Sequence, residues 1–168
     1  MKTSAHLVSE YATADRDHRL QLIEEMIDCS AVQVVNTLTR GILDQDEDEY
    51  VRLAILQSMP FRIDPPHLRL LIAKALCDLL TRCDEVLIRQ HAGLALRAFV
   101  DCAGVLDELE SFVRNPTVES TIRENALAAL EFNAYESPEC HKLLVRLAAA
   151  TEFGPRIQTF LNLLESSD

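Results

Sequence analysis

One pattern recurs three times along the chain at nearly constant spacing. An arginine is followed three and six residues later by small or apolar residues, and seven residues later by a larger apolar residue. The copies begin at Arg52, Arg89 and Arg123, which are 37 and 34 residues apart. Spacings of three and four residues place these side chains on one face of a helix. A unit of this length accommodates two helices, so the pattern predicts stacked antiparallel helix pairs.

An acid precedes each of these arginines by four residues, at Asp48, Glu85 and Glu119. An acid placed four residues before an arginine is the favourable orientation on a helix, and contributes about 0.2–0.5 kcal/mol per pair. Because the pairs recur at one place in each unit, we expect them to be structural and to tie consecutive units together. Binding of a ligand by the three arginines is the less favoured alternative.

Apolar periodicity and helix-capping residues define the predicted helices. Asp84 and Asn115 are candidate N-caps, Pro66 and Pro138 suit first turns, and Gly154-Pro155 ends a helix. The predicted helices cover residues 4–13, 17–28, 30–43, 66–82, 85–100, 103–114, 137–150 and 155–166, with a further helix starting near 115–117.

Two of these helices carry apolar residues on two sides, so we expect both sides to be buried. For residues 66–82 the two stripes are Leu68, Leu71, Ile72, Ala75, Leu76 and Leu79, and Leu70, Ala73, Cys77 and Leu80. For residues 85–100 they are Ile88, Ala92, Ala95, Leu96 and Phe99, and Leu87, His91, Leu94 and Ala98.

The composition fits one all-α domain. The chain has 168 residues, of which 48% are hydrophobic, and it contains only four Gly, six Pro and no Trp. Such a chain is long enough for a sizeable core and has few breaks for irregular structure. We expect residues 1–168 to form a single domain. Residues 1–46 would form degenerate N-terminal capping helices, 47–151 about three helix pairs, and 155–166 a C-terminal capping helix.

The three copies resemble a known repeat family. The dipeptides that open them, with the small-residue spacing that follows, are similar to the first helix of HEAT-like repeats of the phycobilisome-lyase type: Val51-Arg52, Ile88-Arg89 and Ile122-Arg123. The resemblance covers about residues 47–151, although the first copy has Ile55 and Ser58 where alanine is usual. It implies a short right-handed α-solenoid, that is, a HEAT-like or armadillo-type superhelix.

In solenoids of this kind the second helix of each pair lines an extended concave binding surface. The corresponding helices here are those predicted over residues 66–82, 103–114 and 137–150. The middle helix would form the acidic centre of this surface. The outward-facing residues expected to bind a partner are Arg69, Lys74, Asp78, Asp107, Glu108, Glu110, Glu139, Lys142 and Arg146.

The charge of the chain constrains its partners. With 16 Lys and Arg against 27 Asp and Glu, the net charge is −11. This argues against nucleic acid and against anionic membranes, which attract clustered basic residues. It favours a basic protein partner, whose approach an acidic surface accelerates. Residues 51–100 differ from the rest, because they hold four acids and seven bases.

No catalytic or metal-binding motif is evident in the sequence. The series Asp44-x-Asp46-x-Asp48 begins like a calcium-binding EF-hand loop, but Glu49 replaces the glycine and Ile55 replaces the final glutamate that the loop requires. The five histidines share no ligand spacing, and His91 on an apolar stripe is more typical of a packed residue. The five scattered cysteines, with no apolar leader, favour the cytoplasm. We expect no metal and no cofactor.

These observations favour a non-catalytic protein-binding module, and the specific form that we consider first is an immunity-type protein that inhibits a basic toxin. A general scaffold, an adaptor or a self-associating repeat protein is the neighbouring alternative. The resemblance also admits a bilin lyase-type enzyme, although no chromophore-handling cluster is visible. A DNA glycosylase of HEAT-like fold is least favoured, since it needs a basic groove and aromatic stacking.

Overall fold

A computed structural model describes residues 2–27, 29–59 and 65–166. The described chain is all-helical, with ten α-helices and one 3-10 turn at Leu96–Ala98. The helices are α1 (Ser4–Thr13), α2 (Arg16–Met26), α3 (Val32–Leu43), α4 (Glu49–Ser58), α5 (Pro66–Arg82), α6 (Val86–Ala95), α7 (Val105–Arg114), α8 (Ser120–Asn133), α9 (Pro138–Ala148) and α10 (Gly154–Glu165).

The helices pack as two rows. Each odd-numbered helix from α1 to α9 contacts the next odd-numbered one, and each even-numbered helix from α2 to α8 contacts the next even-numbered one. Contacts between the rows join α1 to α2, α3 to α4, α5 to α6, α7 to α8 and α9 to α10. Each helix can therefore bury one face against the opposite row and its flanks against its own row, which explains the wide apolar stripes.

The core lies between the rows and is built mainly of leucine, isoleucine and alanine. Ile88 and Ala92 are fully buried on α6, Leu96 is fully buried in the 3-10 turn that follows, and Ala126 and Ala129 are buried on α8, the neighbour of α6 in the even-numbered row. Small side chains at these positions allow close approach. A Cβ added at Gly93 would lie 3.6 Å from the Ala126 nitrogen, an ordinary contact distance.

Burial on two sides is only partly confirmed. On α5, Leu71 remains 38% exposed, although the other members of its stripe are buried. On α6, Leu87 is 42% exposed and His91 is half-buried, so the second stripe of this helix was wrongly assigned to the core. The physical reason is that α6 is covered by α5, α4 and α8, which leaves part of its outer side open to solvent.

Two predicted helix starts are wrong. The Asn115 side chain accepts a hydrogen bond from the Thr117 amide at 3.0 Å, which stabilises a turn, and α8 begins only at Ser120. Glu85, rather than Asp84, is the N-cap of α6. The predicted helix over residues 85–100 also ends early, since α6 gives way to the 3-10 turn at Leu96. Residue 28, the predicted end of α2, lies outside the described residues.

Each of the three repeat arginines makes the same type of hydrogen bond, which their sequence spacing did not suggest. Each donates from Nε to a backbone carbonyl near the C-terminus of the preceding odd-numbered helix. The bonds run from Arg52 to Ile42 at 3.2 Å, from Arg89 to Leu80 at 3.0 Å, and from Arg123 to Val113 at 3.1 Å. The last carbonyls of a helix have no partner within the helix, and a cation there also interacts favourably with the helix dipole.

The expected pairing of each arginine with the acid four residues earlier is wrong. Arg52 instead pairs with Glu85, the acid that opens the next even-numbered helix, and Arg123 pairs with Glu152 before α10. Asp48 caps α4 by accepting from the Tyr50 amide at 2.9 Å. Long guanidinium side chains reach these distant partners because the helices of one row lie side by side.

Glu119 is the N-cap of α8, without a side-chain capping bond. Within the described residues, no ion pair is found between Glu119 and Arg89. Arg52 and Arg123 therefore each bond both to the preceding helix and to an acid ahead of the next even-numbered helix, whereas Arg89 bonds only to the Leu80 carbonyl among the described residues.

Candidate partner-binding surface

The nine residues predicted to bind a partner all lie on the row formed by α5, α7 and α9. These three helices are consecutive neighbours, since α7 contacts both α5 and α9. Seven of the nine side chains are exposed, and the half-buried ones are Arg69 and Glu110. The structure thus places the nine residues on adjacent helices, but it gives them different roles.

Arg69 is engaged within the protein. Its Nη2 donates to the Ala98 carbonyl at 2.7 Å and to the Asp101 carboxylate at 2.5 Å, and its guanidinium lies 5.2 Å from the centre of the Phe99 ring. These contacts fasten the segment after the 3-10 turn to α5. The prediction that Arg69 is available to a partner is therefore not supported by its surroundings.

Glu110 is held between two arginines. Arg146 on α9 and Arg114 on α7 each bind its carboxylate at 2.9 Å. The hydrogen bond from Arg146 is the main reason why the pKa of Glu110 lies below its ordinary value, and Arg114 contributes in the same direction. Glu110 and Arg146 link α7 to α9, so the centre of the predicted surface is partly neutralised by its own chain.

Asp107 and Glu108 are the exposed acids of α7, and neither forms an ion pair within the described part of the chain. Both lie in the first turn of the helix, where carboxylates interact favourably with the helix dipole. On one side, Glu108 borders a hollow of about 300 Å³ that Lys74 and Asp78 of α5 also line. On the other side, Asp107 borders a larger cleft.

This larger cleft has a volume of about 790 Å³ and lies where the 3-10 turn, the start of α7 and the junction of α8 with α9 meet. Asp107 and Glu139 are the only predicted surface residues among those lining it. The sequence reasoning missed Phe132 and Glu136, which also line it. One signal was available in the sequence, because Phe132 is not part of the stripe of Ile122, Ala126, Ala129 and Leu130, which are all buried on α8.

The acidic segment 44–49 folds into a capped turn that is fastened to the N-terminal helices. The Glu47 carboxylate is bound by Arg19 Nη1 at 2.8 and 2.7 Å and lies beside the Tyr11 hydroxyl. The Asp44 carboxylate accepts from the Asp46 amide at 3.0 Å. Among the described residues, no group of three or more His, Cys, Asp or Glu side chains could hold a metal ion.

The thiols are dispersed, and no disulfide links those of the described chain. Burial raises the pKa of the Cys77 thiol to about 11, and it also raises the pKa of Cys102 and Cys140. A raised pKa keeps a thiol protonated at neutral pH, and the thiolate is the reactive form. These three cysteines are therefore poor candidates for nucleophiles.

No family model matches the chain, and neither the curated proteins nor the solved structures searched contain a match. Within residues 2–27, 29–59 and 65–166, no helix is long and apolar enough to cross a membrane.

Proposed function

We propose that this chain is a non-catalytic protein-binding module that takes up a basic protein partner on the row of α5, α7 and α9. We further propose that the two rows form a short right-handed α-solenoid of the HEAT-like kind, acting in the cytoplasm. The alternation of contacts between odd-numbered and even-numbered helices supports the solenoid, and the net charge of −11 supports the basic partner.

The observation that carries the proposal is that two acids on α7 are exposed and have no ion-pair partner among the described residues. Asp107 and Glu108 are exposed, adjacent and without an ion pair in the described chain. A partner lysine or arginine can bind them without breaking a bond inside the protein, whereas binding Glu110 would compete with Arg114 and Arg146. Complementary charge of this kind mainly raises the association rate and the specificity of a complex.

The more specific role that we favour is inhibition of a basic toxin, as immunity-type proteins do. An acidic surface with an adjoining cleft is suited to covering a basic site on another protein. A scaffold or adaptor would use the same surface, but it would leave the activity of its partner unchanged. Inhibition of the captured protein's own activity separates these two roles.

The experiment is affinity capture with the purified chain as bait, followed by mass spectrometry across a salt series. We expect one dominant basic protein that dissociates as the salt concentration rises, because screening weakens interactions between exposed charges. Reversing the α7 charges with Asp107→Lys and Glu108→Lys should abolish its capture.

The matched control reverses two exposed acids on the other row, with Asp17→Lys and Glu24→Lys on α2. This control has the same net charge as the α7 variant, and it should still capture the partner. Equal loss with both variants would mean that only net charge matters, and would remove the assignment to this surface. An absence of any stoichiometric partner would refute the protein-binding function.

A further inference from the structure

The 790 Å³ cleft beside α7 combines negative charge with an exposed aromatic ring. Arg97 is the only basic residue among those lining it. The acids that line it are Asp101, Asp107, Glu136 and Glu139. Its volume falls within the range of about 300–1,000 Å³ that is typical of ligand pockets.

Most of the negative charge in this cleft is not compensated. Asp101 is bound by Arg69, but no ion pair is found for Asp107, Glu136 or Glu139 within the described residues. Three exposed carboxylates around one space repel each other, and concave surfaces of one sign concentrate the electrostatic field. A cation entering the cleft would lower this repulsion.

The aromatic ring gives the cleft an apolar contact surface. Phe132, which lies near the end of α8, is 67% exposed. The Arg97 guanidinium lies 5.0 Å from the centre of the Phe132 ring, so this ring already makes a cation–π contact. Exposed aromatic side chains beside a concavity are typical of the residues that dominate protein–protein binding.

The walls of the cleft are fixed by hydrogen bonds inside the protein. Asn133 Nδ2 donates to the Arg97 carbonyl at 2.7 Å and to the Ala129 carbonyl at 2.9 Å, which joins the end of α8 to the 3-10 turn. Arg69 fastens the same turn to α5 through the Ala98 carbonyl. Ser137 caps α9 by accepting from the Cys140 amide at 3.2 Å. Since the walls are already ordered, an occupant would spend little binding energy on ordering them.

We propose that this cleft receives a segment of the partner protein in which arginine or lysine lies next to an apolar residue. The cationic side chain binds among Asp107, Glu136 and Glu139, and the apolar side chain packs against Phe132. This inference rests on the proposed protein-binding function and narrows it to one site. It also assigns importance to Phe132 and Glu136, which lie outside the surface described for α7.

The test uses a capped peptide with two arginines flanking a leucine in a glycine–serine context, titrated into the isotopically labelled protein at low salt. Amide shifts in ¹⁵N–¹H correlation spectra should be confined to residues 97–107 and 132–139. A peptide with glutamate in place of arginine should produce none. Shifts on another face would overturn the cleft assignment while leaving a protein-binding function intact, because the capture experiment tests that function independently.

Substitutions should change the affinity in opposite directions. Glu136→Gln combined with Glu139→Gln should weaken peptide binding about fourfold, and Phe132→Ala should weaken it further. Arg97→Gln should strengthen binding about twofold, since it removes the competing cation. The control pair Asp17→Asn and Glu24→Gln on α2 should leave the affinity unchanged. The proposal would be refuted if the α2 variant and the Glu136/Glu139 variant lost the same amount of affinity for the peptide. It would also be refuted if Arg97→Gln bound the peptide more weakly than the native protein.

Discussion

Arg52 is a charged residue in a helical core, with 1% of its side chain exposed. Each of its nitrogens has a partner: Nε binds the Ile42 carbonyl, Nη1 binds Glu85, and Nη2 lies 3.7 Å from the Cys83 sulfur. Buried charge is tolerated only when it is paired and hydrogen-bonded. The planar, always charged guanidinium can meet all three partners at once, which a lysine could not.

Replacing Arg52 with methionine tests this role at the residue scale. We expect Arg52→Met to lower the free energy of unfolding by about 2–4 kcal/mol, because it leaves the Ile42 carbonyl unsatisfied and Glu85 unpaired. The matched change Arg89→Met should cost only about 1 kcal/mol, since Arg89 makes the backward bond without an ion pair. Urea unfolding at neutral pH measures both. Equal losses would mean that the forward bond to Glu85 adds no stability.

At the scale of single helices, two glycines offer a sharp comparison. A Cβ on Gly154 would lie 2.4 Å from the Ala148 carbonyl oxygen, a distance at which the backbone must move. We expect Gly154→Ala to destabilise the protein by displacing the start of α10 from the end of α9. Gly93→Ala meets only contacts of 3.6 Å, and alanine favours a helix interior by up to about 1 kcal/mol over glycine. Thermal unfolding should therefore shift in opposite directions for the two variants.

Helix starts were predictable where proline or a capping side chain determined them. Pro66 and Pro138 open α5 and α9 as expected, because a missing amide is harmless in the first turn. The start of α8 was not predictable from Asn115, since the same side chain stabilises either a helix cap or a turn. The choice depends on where the chain leaves α7, and local sequence does not encode that position.

The exposure of the α7 acids was predictable from the sequence, but the bonding of the residues around them was not. Helical periodicity correctly placed Asp107 and Glu108 on an exposed face. It could not show that Glu110 is bound by Arg146, 36 residues away, or that Arg69 is bound to Asp101, 32 residues away. Those pairs arise from the packing of neighbouring helices, whereas spacing rules describe contacts within one helix.

For the whole molecule, these ion pairs make stability depend on pH. Hydrogen bonds from arginines hold the pKa values of Glu110 and Glu152 below the ordinary value of 4.5. Between the pKa values of the folded chain and the ordinary value of 4.5, the unfolded chain therefore binds more protons than the folded chain. The stabilisation is present above pH 4.5 and is lost as the pH falls through the pKa values of the folded chain.

We expect Glu110→Gln to be less stable than the native chain at neutral pH by under about 1 kcal/mol, because the pair lies near the surface. The difference should shrink as the pH falls below 4.5, since the native carboxylate then becomes protonated as well. Urea unfolding of both proteins across this range measures the effect. A difference that stays constant with pH would show that Glu110 contributes through packing rather than through its charge.

The bonds of Arg52 and Arg123 to a preceding helix and to a following acid determine where the chain could be shortened. Removing residues 85–118 would delete one whole unit and join Asp84 to Glu119. Glu119 would then take the place of Glu85 as the acid that Arg52 binds. Arg123 would take the place of Arg89, because it would lie nine residues after Leu80, whose carbonyl now accepts from Arg89. A deletion shifted by a few residues would break both registers. A shortened chain that keeps both kinds of bond therefore has to lose residues 85–118 as one block.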